Sequence, residues 1–286
     1  MVNSLLRQYR KLRTRVNRNH CISKIWGNKK IFDCFMLFEE IELLQLRLME
    51  YYEYVDYFVV VESKKTFKGN EHELIFEKNK ILFEKYLDKI IYLVVSDLPK
   101  NDEEHIWNAE VYQRNYIDNA LRDYAKIGDV IILSDIDEFW NIKHINRIRR
   151  CSSPFVFEQD LYYYYFNCKK NEKWLGTCCA PYGIFSPQEM RDYARFGKDH
   201  KIVKNGGWHY SYLGGAERIQ SKLDNLSDSH LVKAKVGTEE DIERKILNGI
   251  ELWDANISYT FIDLRKFDNP ASLDILIKMY PKLIRQ

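Results

Sequence analysis

The stretch GDVIILSDIDEFW, residues 128–140, runs a core strand straight into a knot of acids. Val130, Ile131, Ile132 and Leu133 are apolar and mostly β-branched, as a strand buried on both faces should be. Asp135, Asp137 and Glu138 follow at once, then Phe139 and Trp140. Carboxylates this close repel one another unless positive charge sits among them. Two carboxylates two residues apart at a strand end can turn toward one divalent cation. Mg2+ or Mn2+ takes oxygen ligands and keeps positions open for a phosphate, which makes Asp135 and Asp137 candidate metal ligands. The competing reading is a turn in which Asp135 caps a helix over residues 141–150.

Upstream, strands and helices alternate. IFDCFMLF, residues 31–38, reads as a short buried strand, and Ile41, Leu44, Leu48 and Tyr52 then recur at helical spacing. Glu39, Glu40 and Glu42 crowd the first turn of that helix, where its dipole favours acids. A second strand follows at 56–63, a helix around 79–87, a third strand at 90–95, and a long helix over 107–124. This alternation predicts an α/β fold with a mostly parallel central sheet flanked by helices. Ligands of such sheets bind beyond the carboxyl ends of the strands. Three strands end there in polar residues: Glu39–Glu40, Glu62 to Thr66, and Asp135 to Glu138.

Past residue 141 the texture changes to Tyr-rich strands at 155–168, a short helix near 186–195, the segment GGWHYSYLGG at 206–215, and two polar helices near 217–226 and 239–247. No linker, low-complexity run or internal repeat divides the chain. One domain over 29–286 is therefore expected, its 29–140 half holding a nucleotide site and its 141–286 half closing an acceptor site.

With 45% hydrophobic and 30% charged residues, the 286-residue chain reads as globular. Its 20 Tyr and 6 Trp suit a protein that stacks aromatic rings on sugars, or one with a Tyr-rich core. A net charge of +2 argues against nucleic acid as a partner. Residues 7–30, however, hold many Lys and Arg and no acid, so 1–28 form a basic N-terminal arm. The arm is either a solvated extension or a peripheral contact with an anionic membrane. Without an apolar run of about 18 residues or a secretory h-region, a cytoplasmic location is expected. The six cysteines lack zinc-site or disulfide spacing and read as free thiols.

IFDCFMLFEEIELLQLRL at 31–48, FVVVESKKTFKG at 58–69, DKIIYLVVSDLP at 88–99, YQRN at 112–115 and VIILSDIDE at 130–138 together resemble glycosyltransferase family 17. That is the family of the β-1,4-mannosyl-glycoprotein β-1,4-N-acetylglucosaminyltransferases. WLGT at 174–177, the 206–215 segment and SDSH at 227–230 extend the likeness over roughly 31–250. Phe139-Trp140 departs from it, because the familiar form continues after the acids with Ile-Pro.

The resemblance implies a GT-A, Rossmann-like fold. It also implies inverting transfer of GlcNAc or a similar hexose from a UDP-sugar to a glycan acceptor, with Mn2+ or Mg2+. On a GT-A fold, Glu62, Ser63 and Lys65 would hold the nucleoside or its phosphates, and Asp135 would face the donor as well as the metal. Arg114, on a helix, offers the bidentate guanidinium that suits a diphosphate. The third metal ligand would be His230, with His209 as the alternative. Glu217, after Gly214-Gly215, resembles the turn that supplies the general base in other inverting enzymes; Glu158 and Asp160 are the alternatives. Trp208, Tyr210 and the Tyr162–Tyr165 run are candidate stacking faces for the acceptor.

Two other classes compete. A non-catalytic carbohydrate-binding protein would not need the acid set. A metal-dependent nucleotidyltransferase would show a Gly-rich basic loop where this chain has FMLFEE at 35–40.

Overall fold

The fold is built outward from β1 (Ile31–Met36), whose first five residues are all buried. A computed structural model describes residues 29–101, 104–225 and 236–285; the arm of residues 1–28 and His230 lie outside them. After β1 come α1 (Ile41–Tyr51), β2 (Tyr57–Ser63), α2 (Ile75–Lys78), a 3-10 helix (Lys80–Lys89) and β3 (Ile90–Val95). Then α3 (Asn108–Asn115) and α4 (Ile117–Tyr124) lead to β4 (Val130–Leu133). The four strands are parallel in the order β3-β2-β1-β4, with β1 between β2 and β4. Their side chains alternate between two buried faces. Phe35, Phe58, Val60 and Ile132 pack with Leu44 of α1, while Phe32, Val59, Val61 and Ile131 pack with Ile117 and Leu121 of α4.

The long helix expected over 107–124 is interrupted at Tyr116. Its N–H is shared between the Tyr112 and Gln113 carbonyls, a tightened turn rather than a loop. The helix expected around 79–87 takes the 3-10 form. Over 141–150 a short 3-10 turn leads into α5 (Ile145–Arg149), and its cap is Asn141, whose side chain accepts from the Lys143 N–H. Asp135 is not the cap.

The second half departs from the mostly parallel sheet expected. Beyond β5 (Glu138–Trp140) the chain makes β6 (Phe155–Tyr163), β7 (Cys168–Pro181), α6 (Pro187–Phe196), β8 (Ile202–Ser211), α7 (Ala216–Asn225), α8 (Glu239–Asn248), β9 (Thr260–Phe261) and α9 (Leu273–Met279). β7 pairs antiparallel with β4 and β6, β8 runs parallel to β6, and β5 lies antiparallel at the far edge. The sheet is thus mixed. β6 and β7 are joined by only four residues, 164–167, whereas a parallel crossover needs a dozen or more.

β4 and β5 are separated by residues 134–137 alone, yet in the sheet β7, β6 and β8 lie between them. Four strand spacings span about 19 Å, more than five residue steps of roughly 3.5 Å can reach. The sheet therefore curls, bringing β5 back beside β4 and draping the acid loop over the carboxyl ends of the strands. The closing contact is tight at Gly207, where φ is +144° and an added Cβ would lie 1.9 Å from the Phe139 carbonyl oxygen. Among the described residues, no helix is long and apolar enough to cross a membrane.

Gly207→Ala should therefore force β5 off β8 and destabilise the fold by more than about 2 kcal/mol, which urea unfolding of the two proteins would measure.

Candidate active site

Two charges placed inside apolar elements organise the site. Asp33 lies mid-strand in β1 and Arg47 mid-helix in α1, and both are 0% exposed. Arg47 Nε and Nη2 donate to the two Asp33 carboxylate oxygens at 2.7 and 2.8 Å. Nη1 donates to the Glu138 carbonyl at 2.8 Å and reaches the Asp135 and Ile136 carbonyls at 3.3 and 3.4 Å. Nη2 also meets the Ser134 hydroxyl. The guanidinium lies 4.6 Å from the Phe35 ring and 5.6 Å from that of Phe139. Burial opposes its charge, but Asp33 overcomes that and holds Arg47 protonated. One fork thus satisfies the carbonyls of a chain that has just left the ladder.

Glu138 is the second anchor and is fully buried. Its carboxylate accepts from Trp174 Nε1 at 2.6 Å, Arg191 Nη1 at 2.7 Å, the Asp135 N–H at 3.2 Å and Thr177 Oγ1 at 3.3 Å. Gly176 makes this approach possible, since a Cβ there would stand 2.0 Å from Glu138 Oε1. Arg191, on α6, also pairs with Asp135 Oδ2 at 2.5 Å. The other oxygen of Asp135 is buried, lies 3.6 Å from Arg114, and accepts no hydrogen bond among the described residues. Asp137 stands 3.4 Å from His209 Nε2 and 3.7 Å from Lys222 Nζ on α7. Burial alone would raise both aspartates. Arg191 and Arg114 instead hold Asp135 below the usual carboxylate range, and His209 with Lys222 holds Asp137 well below it. Lys222 also pairs with Glu40 at 3.1 Å. Much of the positive charge demanded by the acids is therefore the protein's own: Arg47, Arg114, Arg191 and Lys222.

Asp135, Asp137, Arg114, Lys222 and Glu40 face a cleft of about 170 Å³ at the carboxyl ends of β1, β2 and β4, and the other charges stand behind its wall. Ser63, Lys65 and Thr66 line it after β2, Gln113 and Arg114 from α3, Asp135 to Asp137 from the acid loop, and Lys222 and Asn225 from α7. An apolar corner contains Leu37, Phe67 and Phe38, the last stacked on His72 at 4.4 Å. Five expected site residues, Ser63, Lys65, Arg114, Asp135 and Asp137, thus meet in one place.

Glu62 does not join them. Neighbouring strand residues point to opposite faces, so when Ser63 faces the cleft Glu62 faces away. It accepts from the Ile75 and Phe76 N–H groups at 2.5 and 3.2 Å and from Tyr92 Oη at 2.7 Å, capping α2. Glu217 is exposed in the first turn of α7 and does not line the cleft. Glu158 is half-buried, and Asp160 is ion-paired with Lys169 and Lys173. His209 meets Asp137 and packs on the Trp174 ring at 4.6 Å. Trp208, Tyr210, Tyr162, Tyr163 and Tyr164 are buried in the core, so they offer no face to an acceptor. Arg47, Arg191 and Lys222 escaped the sequence reading. The available signal was one acid inside an apolar strand and one base inside the apolar helix that follows, a pattern that needs a partner for each.

The curled α/β sheet thus gathers acids and bases in one cleft at the carboxyl ends of its strands. A family model for glycosyltransferase family 17 matches residues 8–280, nearly the whole chain. The chain belongs to that family and is a transferase of glycosyl groups. No curated protein matches it.

Arg47→Met would leave Asp33 buried and uncompensated, and should cost about 3–5 kcal/mol of stability. Urea unfolding should show that loss, with part of it regained in Asp33→Leu/Arg47→Met.

Proposed function

We propose that the cleft binds a UDP-sugar on a GT-A type fold and that the enzyme transfers GlcNAc or a similar hexose, with inversion, to a glycan hydroxyl. The observation carrying this reading is the convergence on one cleft of Ser63 and Lys65, Arg114, and Asp135 with Asp137, from three separate segments. Arg114 and Lys65 would hold the diphosphate, with Ser63 beside it. Lys222 adds a further cation on the same wall.

The acids also fit a divalent metal. Asp135 keeps a buried oxygen without a hydrogen-bond partner among the described residues, and Asp137 lies 3.4 Å from His209 Nε2 and 3.7 Å from Lys222 Nζ. Among the described residues no cluster of three His, Cys, Asp or Glu could hold a metal. The two aspartates would therefore share it with phosphate oxygens and water, or with His230 outside the described residues. The chemistry Mg2+ or Mn2+ supplies when bound is neutralisation of the charge that grows on the leaving diphosphate.

Inversion needs a carboxylate to take the acceptor proton as the hydroxyl attacks. Glu217 remains the candidate. Its carboxylate meets no partner among the described residues, and it opens the helix whose later turns carry Lys222 and Asn225 into the cleft. Asp160 suits the role less. Despite its burial, Lys169 and Lys173 hold it below the usual carboxylate range, which weakens it as a proton acceptor.

Asp137→Ala should abolish sugar transfer while the melting temperature stays within a few degrees of wild type; wild-type turnover undiminished in EDTA would remove the metal from the reading. Glu217→Gln should lower kcat by about 10²–10⁴-fold with UDP affinity unchanged. Equilibrium UDP binding beside steady-state kinetics would separate that result from loss of a donor contact.

A further inference from the structure

The net charge of +2 conceals a strongly polarised molecule. Residues 1–28 hold seven Lys or Arg and no acid, so 44 less seven leaves residues 29–286 with 37 basic groups against 42 acidic ones. Within that acidic body three segments run the other way. Residues 29–30, 142–153 and 198–205 contain nine Lys or Arg and a single acid, Asp199. They are neighbours in space. Lys29 Nζ donates to the Cys151 carbonyl at 2.7 Å, Lys201 Nζ to the Ser153 hydroxyl at 3.1 Å, and His144 Nε2 meets the Asn205 carbonyl at 3.1 Å. Arg147, Arg149, Arg150, Lys198, Lys201 and Lys204 are all exposed.

Topology fixes where this face lies. β4 runs parallel to β1, β7 is antiparallel to β4, β6 antiparallel to β7, and β8 parallel to β6. β1, β4, β6 and β8 therefore share one direction, and Ile31, Val130, Phe155 and Ile202 begin them at a common edge. The basic segments gather there, while the cleft sits at the other end of the strands, roughly 20 Å away for a six-residue strand. The chain from the basic arm enters at this same edge, at Lys29.

We propose that this amino-terminal edge of the sheet docks on an anionic lipid bilayer. Charge alone would suit any polyanion. The exposed apolar residues decide between them: Ile202, 41% exposed, lies beside Lys201, and Phe196, 65% exposed, ends α6 just before Lys198. An aliphatic side chain among lysines has a place at the boundary of headgroups and acyl chains, and none along a phosphodiester backbone. Docked this way, the enzyme turns its cleft away from the bilayer.

The test is co-sedimentation of the full chain with vesicles of phosphatidylcholine alone or mixed with phosphatidylglycerol, at low and high salt. Wild type should bind the anionic vesicles and be released by salt. Arg147→Gln/Arg149→Gln/Arg150→Gln should bind them roughly 100-fold more weakly. Its melting curve should match wild type, because none of the three anchors another element by an ion pair among the described residues. Ile202→Ser, which keeps every charge, should also weaken binding and shows the apolar part separately. Vesicle binding by the triple variant equal to wild type would overturn the proposal, leaving the arm as the binding element. Equal wild-type binding to neutral vesicles, or displacement from anionic vesicles by duplex DNA at matched phosphate concentration, would overturn it as well.

Discussion

A single buried ion pair, Asp33 with Arg47, sets the position of everything at the carboxyl edge. The energetics of such a pair are demanding, because desolvating two charges costs several kcal/mol each unless every remaining donor and acceptor is satisfied. Here the remaining donors of the guanidinium go to the backbone of the acid loop and to Ser134, with Phe35 and Phe139 packed against it. The loop is irregular by necessity, since it must leave the centre of the sheet and reach its far edge. Arg47 supplies what the ladder no longer can, a fixed partner for the carbonyls of Asp135, Ile136 and Glu138.

Around that support the charges alternate. Arg191 joins Asp135 to Glu138, and Lys222 joins Asp137 to Glu40. Asp135 and Asp137 are thereby held below the usual carboxylate range within a buried wall, and one Asp135 oxygen keeps no hydrogen bond among the described residues. The donor proposed for the cleft, a diphosphate with its metal, would likewise carry both signs.

The parallel half was legible because its signals are local: apolar runs, helical spacing at Ile41, Leu44 and Leu48, and acids massed at a strand end. The curled half was not, because pairing of β7 with β4 and of β5 with β8 joins segments whose order in the sheet no local pattern encodes. The same limit applied to the site. Asp135 and Asp137 stand out as neighbours in sequence, but Arg191 reaches Asp135 across 56 positions and Lys222 reaches Glu40 across 182. Glu62 and Ser63 show a finer limit, since a strand end offers both residues to the reader but only one to the cleft. The tyrosines went to the core for an equally plain reason: α7 and α8 cover the face that holds Tyr163 and Tyr164, while Tyr162 packs with Phe139 and Tyr210 on the other.

Those long separations also bear on how the chain acquires its activity. Loop closures of this length are slow and bring no reward until both ends are in place. During synthesis the acid loop emerges well before Arg191 and Lys222, so a nascent chain holds Asp135, Asp137 and Glu138 with only Arg47 and Arg114 to offset them. Until those two arrive, Asp135 lacks the Arg191 charge and Asp137 the Lys222 charge that offset their burial in the finished fold. Maturation of the cleft is therefore coupled to completion of the second half, and a chain interrupted before α6 carries the acid motif without the site.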